Sequence, residues 1–272
     1  MGRYVDALKD EKLKKSQIRF QAAMFDPQTF KNPKILDLFR KEWALCIPKD
    51  EVKTIAVGET VEGGGNTVLP STVIEELIKR AKTRVIFQFC PCRDKEECSD
   101  YPQDLGCIML GESMKDIHPE IARPASVEEC LEHARRAREH GLIHIIGQSA
   151  FDAEAMRVPL NYINICHCCE CCCMAKMFRH TEKDVLPLTK ISGLTVTVSE
   201  DDCTGCATCE AQCIFQALEI KNDLAVVDSE TCKGCGRCAE ACPEDAISIR
   251  IENPDFVAQS LADVEKHYEF VP

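Results

Sequence analysis

Alternating apolar and polar residues predict a small antiparallel β region in the last third of the chain. The stretches Leu194–Val198 and Ile247–Ile251 alternate with a period of two, and we expect them to pair as strands. Residues 218–220 and Leu224–Val227 flank a polar turn at 222–223, which predicts a β-hairpin. The four stretches favour one small domain built from a strand pair and a hairpin.

Helix and strand patterns alternate in the middle of the chain. Residues 71–82 predict a helix, and the apolar run at 84–89 predicts a buried strand. A second helix is expected to begin with the capping residue Ser126 and to end at Gly141, before an apolar stretch at 142–146. This alternation predicts an α/β or α+β unit upstream of the small β domain.

Eight cysteines near the C-terminal end form two copies of the spacing C-x-x-C-x-x-C-x-x-x-C, which we call the comb. Each cysteine of the second copy lies 29 residues after its counterpart in the first. The copies are Cys203, Cys206, Cys209 and Cys213, and Cys232, Cys235, Cys238 and Cys242. Gly205 and Gly234 precede the second cysteine of each copy, where the backbone must approach a cluster closely.

The comb resembles the bacterial ferredoxins that carry two 4Fe-4S clusters, in which the fourth cysteine of each copy ligates the other cluster. The resemblance implies one cluster held by Cys203, Cys206, Cys209 and Cys242, and another held by Cys232, Cys235, Cys238 and Cys213. Pro243 follows the last ligand as in that family, whereas Ile214 stands after Cys213. Zinc or disulfides are the alternative, but zinc sites seldom use a doubled comb.

A second group of cysteines is the block at residues 166–173, with six cysteines in eight residues. Adjacent free thiols are an oxidation liability without a packing benefit, so we expect a metal site. If the block were helical, two faces would result, and one peptide could serve two centres. The faces would be Cys166, Cys169 and Cys173 on one side, and Cys168, Cys171 and Cys172 on the other.

A third group follows the predicted strand at 84–89: Cys90, Cys92, Cys98 and Cys107. We expect this group and the 166–173 block to come together around at least one further iron-sulfur centre, with the third group providing most of the ligands. A zinc site or a redox-inert cluster of buried thiols is the alternative. Arg93 could stabilise an anionic cluster or pair with Asp94 or Glu97 at the surface.

The remaining cysteines and the histidines carry weaker signals. Cys46 and Cys130 stand alone, and we expect both to be small buried apolar residues. Isolated histidines are usually structural, and His167 is the best candidate for a role because it lies inside the cysteine block. No catalytic residues can be named from the spacing.

Composition bounds the class of protein. The formal net charge of −12 disfavours a nucleic-acid partner, whereas an acidic surface is common on electron carriers that dock to a basic patch. Acidity for solubility alone is the other explanation. No apolar run reaches the length of a membrane span, and the N-terminus lacks the apolar core of a secretion signal. With 20 cysteines, we expect metal ligation in the reducing cytoplasm.

The expected fold class is α+β, with four regions along the chain. Residues 1–69 are expected to be mostly helical and peripheral, and residues 70–189 form a cysteine-rich metal-binding domain of the α/β or α+β type. Residues 190–252 form a two-cluster ferredoxin domain with pseudo-twofold symmetry. Residues 253–272 are a C-terminal extension.

Over about residues 70–251 the chain resembles a group of cytoplasmic 4Fe-4S proteins from anaerobes. The motifs that carry this likeness are the C-x-C-R sequence at 90–93, Cys107 before a Leu-Gly pair, and the 166–173 block. We expect an electron-transfer protein or subunit that relays low-potential electrons to or from a partner oxidoreductase. The alternative is an iron-sulfur redox enzyme whose upstream cysteines hold the catalytic centre. A redox sensor is a weaker third interpretation.

Overall fold

A computed structural model describes residues 71–148, 158–173 and 188–267, the backbone of two N-terminal strands, and isolated positions elsewhere. The helices described in full are α1 (Ser71–Arg80), α2 (Pro91–Lys95), α3 (Val127–Glu139), α4 (Thr208–Gln212), α5 (Arg237–Glu240) and α6 (Phe256–His267). A 3-10 helix spans Glu112–Asp116.

The strands belong to a large mixed sheet, a three-stranded sheet and a hairpin. The large sheet has the order β5-β3-β4-β7-β6-β1-β8. Its strands are β1 (Trp43–Ile47), β3 (Arg84–Phe87), β4 (Ile108–Leu110), β5 (Ala122–Pro124), β6 (Ile143–Gln148), β7 (Ile163–Cys168) and β8 (Leu188–Lys190). The other strands are β2 (Thr54–Ala56), β9 (Leu194–Val198), β10 (Leu218–Lys221), β11 (Leu224–Val227) and β12 (Ile247–Ile251).

The C-terminal strand predictions are confirmed. β9 and β12 pair antiparallel, with Leu194 opposite Ile251, and β10 and β11 form the predicted hairpin. Asn222 and Asp223 at its turn have φ of 51° and 59°, the left-handed values of a type I′ turn. Together with the helices, these strands make the chain an α+β protein.

Helix α3 begins as its capping sequence predicts. The Ser126 side chain accepts a hydrogen bond from the Glu129 backbone N–H, and the Glu129 carboxylate accepts one from the Ser126 backbone N–H. Gly141 follows the helix with φ of 77°, a conformation that a side chain would strain. The chain therefore turns sharply from α3 into β6, at the centre of the large sheet.

The helical interpretation of the 166–173 block is wrong. Residues 163–168 form β7, which lies between β4 and β6, and residues 170–172 form a turn. The apolar partners on β6 explain this outcome, because Ile145 lies opposite Cys166 and Ile143 lies opposite Cys168. Period-two geometry places Cys166 and Cys168 on one face of the sheet and His167 on the other.

The described part of residues 1–69 includes two strands. β1 pairs antiparallel with β6 and parallel with β8, and β2 pairs parallel with β12. Most of that segment, including the side chain of Cys46, lies outside the described residues. Among the residues described, no helix is both long and apolar enough to cross a membrane.

The apolar cores join the upstream region to the comb region. One core contains α1 residues such as Leu77 together with Ile249 of β12 and Val264 of α6. Another contains upstream cysteines, Leu142 and Ile143 together with Cys235 of the comb. The comb region therefore packs against the upstream sheet through continuous buried surfaces.

Candidate metal centres

The comb lines two cavities, which we call the first and the second. The lining of the first includes Cys203, Cys206, Cys209 and Cys242. The lining of the second includes Cys213, Cys232, Cys235 and Cys238. Each cavity thus combines three thiols from one copy of the comb with the fourth thiol of the other copy, the sets that the ferredoxin resemblance implied.

The backbone repeats itself around the two cavities. The Cys213 sulfur accepts a hydrogen bond from the Ala217 N–H at 3.2 Å, and 29 residues later the Cys242 sulfur accepts one from the Ala246 N–H at 3.3 Å. Backbone N–H groups directed at thiolate sulfur stabilise its negative charge. Both cavities are therefore built for anionic sulfur.

The glycine before the second cysteine of each copy is required by the local geometry. Gly205 and Gly234 both have φ of 67°. A Cβ on Gly205 would lie 2.7 Å from the Asp223 carbonyl oxygen, and one on Gly234 would lie 2.3 Å from Leu194 Cδ2. A side chain at either position would therefore be strained and would also clash.

Replacing Gly205 with Ala is expected to lower the free energy of unfolding by about 1–3 kcal/mol, because it adds a strained φ and a backbone clash. Ala207, at φ of 61°, offers the matched control. Ala207→Gly relieves a positive φ and should change the free energy of unfolding by less than about 1 kcal/mol. Chemical denaturation followed by circular dichroism would compare the two, and equal stabilities would contradict the strain argument.

The thiols of the second cavity lie in surroundings that suit metal ligands. Burial raises the pKa of Cys235 to about 12, because a buried thiolate loses its hydration. Burial likewise raises the pKa of Cys232. A bound metal centre supplies the positive charge that such thiolates need, so the donor set fits an iron-sulfur cluster.

Charged side chains differ between the two cavities. Lys233 and Arg237 are among the residues lining the second cavity, whereas Glu244 lines the first. Cys206 in the first cavity is exposed, and Cys235 and Cys238 in the second are buried. The first cavity is therefore the more accessible and the second has the more positive surroundings.

The upstream cysteines come together in space, but they form two sets rather than one. The arginine set lies around Arg93 and consists of Cys90, Cys92, Cys107 and Cys166. The tetrathiolate set consists of Cys98, Cys169, Cys171 and Cys172, whose sulfur atoms all lie within 4.8 Å of one another. Cys98 is thus separated from the other three cysteines of its sequence group. Cys168 interacts with the thiols of Cys166 and Cys173, next to both sets.

The arginine set contains two close pairs of thiols. The Cys107 sulfur lies 3.7 Å from that of Cys166, as the pairing of β4 with β7 requires, and the thiol of Cys92 hydrogen-bonds Cys90. This bond is the main cause that lowers the pKa of Cys90 to about 7, with the charge of Arg93 contributing. A hydrogen bond from Cys107 similarly places the pKa of Cys166 well below its usual value.

Arg93 is buried and does not pair with acidic residues at the surface. It donates hydrogen bonds to three carbonyl oxygens, those of Pro102 at 2.9 Å, His167 at 2.7 Å and Leu105. Burial alone would lower its pKa, but nearby thiols, first that of Cys90, hold it above the usual value. The buried guanidinium therefore fits the predicted role of stabilising an anionic centre.

The positions of Cys130 and His167 are explained by packing. Cys130 is fully buried, and burial raises its pKa to about 12, so the prediction of a small apolar residue is confirmed. His167 Nδ1 lies 2.8 Å from His144 Nδ1, on the sheet face opposite Cys166 and Cys168. This histidine pair is therefore directed away from the thiols.

A polar bridge that the sequence did not reveal joins the second cavity to the tetrathiolate set. Arg237 Nη2 lies 2.7 Å from a carboxylate oxygen of Glu170, which also accepts a hydrogen bond from the Tyr101 hydroxyl at 2.9 Å. Glu170 lies between Cys169 and Cys171 in sequence, and Arg237 also donates to the Gly141 carbonyl. The sequence contains only two weak signals for this contact: an arginine within the second copy of the comb, and a glutamate within the 166–173 block.

The second copy of the comb matches a known family of domains. A family model described as a 4Fe-4S binding domain matches residues 225–248, which include the last four cysteines of the comb. No curated protein matches the chain. The chain therefore carries a 4Fe-4S binding domain in its C-terminal part, and this domain together with the cysteine clusters indicates iron-sulfur electron transfer.

Proposed function

We propose that this protein relays low-potential electrons through two 4Fe-4S clusters in the comb and one further iron-sulfur centre upstream. The observation that carries the proposal is the pair of cavities, each lined by three cysteines of one copy and the fourth cysteine of the other. That exchange of ligands is the arrangement of two-cluster ferredoxins. The pseudo-twofold domain is part of the same proposal, supported by the backbone features that recur after 29 residues.

The order of the relay follows from exposure and charge. A redox partner protein would reach the first cluster, because Cys206 is exposed there. The second cluster has the higher reduction potential, because Lys233 and Arg237 stabilise its more negative reduced state. Electrons then pass from the first cluster, which is oxidised, to the second, which is reduced. Cys235 shares a buried core with the upstream thiols, so the second cluster faces the rest of the relay.

The upstream iron-sulfur centre is best placed at the arginine set. A tetrahedral ion with metal–sulfur bonds of about 2.3 Å holds thiolates about 3.8 Å apart. The pair Cys107 and Cys166, at 3.7 Å, matches the spacing for one iron, and Cys90 with Cys92 supplies a second pair. Four cysteines in two pairs suit a 2Fe-2S cluster, in which each iron takes two thiolates. Arg93 would offset its negative charge.

The other class of function is an iron-sulfur redox enzyme with its catalytic centre at the upstream cysteines. We favour relay over catalysis, because the match of residues 225–248 to a 4Fe-4S binding domain supports electron transfer directly. We place the relay in a reducing compartment, the cytoplasm, since the chain has 20 cysteines, most of them grouped as candidate metal ligands, and such thiols persist in a reducing compartment.

A redox titration of the full chain, reconstituted without oxygen, tests the proposal. We expect separate one-electron couples for the comb clusters, of which the higher disappears in Cys213→Ala and the lower in Cys242→Ala. Loss of the same couple in both variants would contradict the proposed order. Absence of any couple in the wild-type chain would contradict the relay itself.

Association with a basic redox partner is expected to depend on salt. The net charge of −12 should accelerate encounter, and the Debye length falls from about 10 Å at 0.1 M to about 3 Å at 1 M salt. Stopped-flow measurement should show that the electron-transfer rate constant falls roughly tenfold or more over this range. A rate constant that does not change with salt would remove the electrostatic part of the partner proposal.

A further inference from the structure

The tetrathiolate set differs from every other group of cysteines in how tightly its sulfur atoms converge. Among the described residues, it alone brings three or more potential metal-ligand atoms within 4.8 Å of one another. The sulfurs of Cys98 and Cys171 lie 3.7 Å apart, and those of Cys171 and Cys172 lie 3.5 Å apart. Cys98 comes from the loop after α2, and the other three come from the turn after β7.

These separations decide how many metal atoms the site can hold. Four thiolates around a single tetrahedral ion lie about 3.8 Å apart, from metal–sulfur bonds of about 2.3 Å. A 4Fe-4S cluster needs wider spacing, because its four irons and four sulfides lie between the ligands. The comb cysteines are arranged differently, since each set of four lines a cavity, whereas the four tetrathiolate sulfurs all lie within 4.8 Å of one another.

We infer that Cys98, Cys169, Cys171 and Cys172 bind a single metal ion, iron or zinc, as a tetrahedral tetrathiolate site without inorganic sulfide. Both ions take four cysteine ligands in this geometry. The site does not depend on the proposed function, because all four ligands lie outside the comb and outside the arginine set.

The surroundings of the four thiols suit such a site. The Cys172 backbone N–H donates to the Cys169 sulfur at 3.4 Å, and the backbone N–H groups of Asp100 and Tyr101 donate to Cys98. Hydrogen bonds of this kind orient the ligands of a metal and stabilise their negative charge. The neighbouring carboxylate of Glu170 is held by the Tyr101 hydroxyl and by Arg237, so it does not compete for the ion.

The position of the site gives it a structural consequence. Because the Glu170 side chain pairs with Arg237 beside the second cavity, an ion at this turn fixes the position of the polar bridge between the upstream sheet and the comb. Iron at the site would add a one-electron centre next to the second cluster. Zinc would fix the geometry alone, since it undergoes no redox change.

Metal and sulfide analysis of the full chain, reconstituted without oxygen in the presence of iron, zinc and sulfide, tests the inference. The variant is Cys98→Ser with Cys172→Ser, and the control is Cys130→Ser, which removes a buried thiol that belongs to neither set. We expect the variant to contain about one metal atom fewer per chain than the control, with the same acid-labile sulfide. Loss of iron identifies an iron site and loss of zinc identifies a zinc site; either supports the inference.

Two results would overturn it. One is an unchanged metal content in the variant, and the other is a loss of iron matched by an equal loss of sulfide, which indicates a cluster. If circular dichroism shows that the double variant does not fold, the single variant Cys172→Ser is tested instead. It retains three of the four thiolates, and the same changes in metal and sulfide content are expected. Failure of the electron-transfer proposal can be distinguished from failure of this inference, because it would appear as missing sulfide in the wild-type chain and in the control.

Discussion

Replacing Cys242 with Ala is expected to remove the cluster of the first cavity and to leave the cluster of the second in place. Cys242 follows α5 in the second copy of the comb, yet its side chain lines the first cavity with Cys203, Cys206 and Cys209. A 4Fe-4S cluster that loses one of four thiolates is exposed to solvent and oxygen at that iron. The chain should therefore lose about four irons and about four sulfides.

Cys213→Ala is the matched control, because Cys213 occupies the equivalent position 29 residues earlier and lines the second cavity. Electron paramagnetic resonance spectra of the two reduced variants should each lack the signal of one comb cluster, and the missing signals should differ. Selective loss of the cluster held by Cys232, Cys235 and Cys238 in Cys242→Ala would contradict the exchange of ligands between copies.

Replacing Cys107 and Cys166 with Ser is expected to remove the upstream iron-sulfur centre. The two sulfurs lie 3.7 Å apart, and together they would bind one iron of the proposed 2Fe-2S cluster. We expect the loss of about two irons and about two sulfides per chain, with the comb clusters intact. Destabilisation should follow, because Arg93 stays buried after the anionic centre has gone.

Iron, zinc and sulfide measurements on this variant and on Cys130→Ser distinguish the alternatives for the upstream thiols. Loss of zinc without sulfide would contradict the iron-sulfur assignment and favour a zinc site. An unchanged metal content, with the fold intact by circular dichroism, would show that the arginine set is a group of inert buried thiols. The thermal unfolding midpoint should fall in the variant.

The comb region was the most predictable part of the fold. Strands β9 and β12 lie at the bounds that alternation predicted, and the hairpin turns at the predicted polar pair. Local rules suffice there, because short strands, a type I′ turn and closely spaced ligands are each determined by a few neighbouring residues. The capping box of α3 could be predicted for the same reason.

The 166–173 block was not predictable from local pattern, because its conformation depends on partners far away in sequence. Cys166 and Cys168 are in a strand since β6 presents Ile145 and Ile143 opposite them, and β4 pairs with the preceding residues 163–165. Periodicity cannot distinguish a buried strand from a helix in so short a segment. Once β7 forms, the face of each thiol follows, and this separates His167 from the cysteines.

The division of the upstream cysteines into two sets depends on contacts that spacing does not encode. The sequence predicted that residues 90–107 and the 166–173 block would meet, and the structure brings them together. The sequence could not show that the loop after α2 places Cys98 away from Cys90 and Cys92. The bridge from Arg237 to Glu170 likewise joins residues 67 positions apart. Such pairings follow from tertiary packing.

The iron and acid-labile sulfide content of the full chain, reconstituted without oxygen, tests the central claim most directly. The account predicts about eight sulfides from the comb and about two from the arginine set, each matched by iron. A chain that binds zinc without sulfide, or that holds fewer than about eight sulfides when fully reconstituted, would contradict the two-cluster relay.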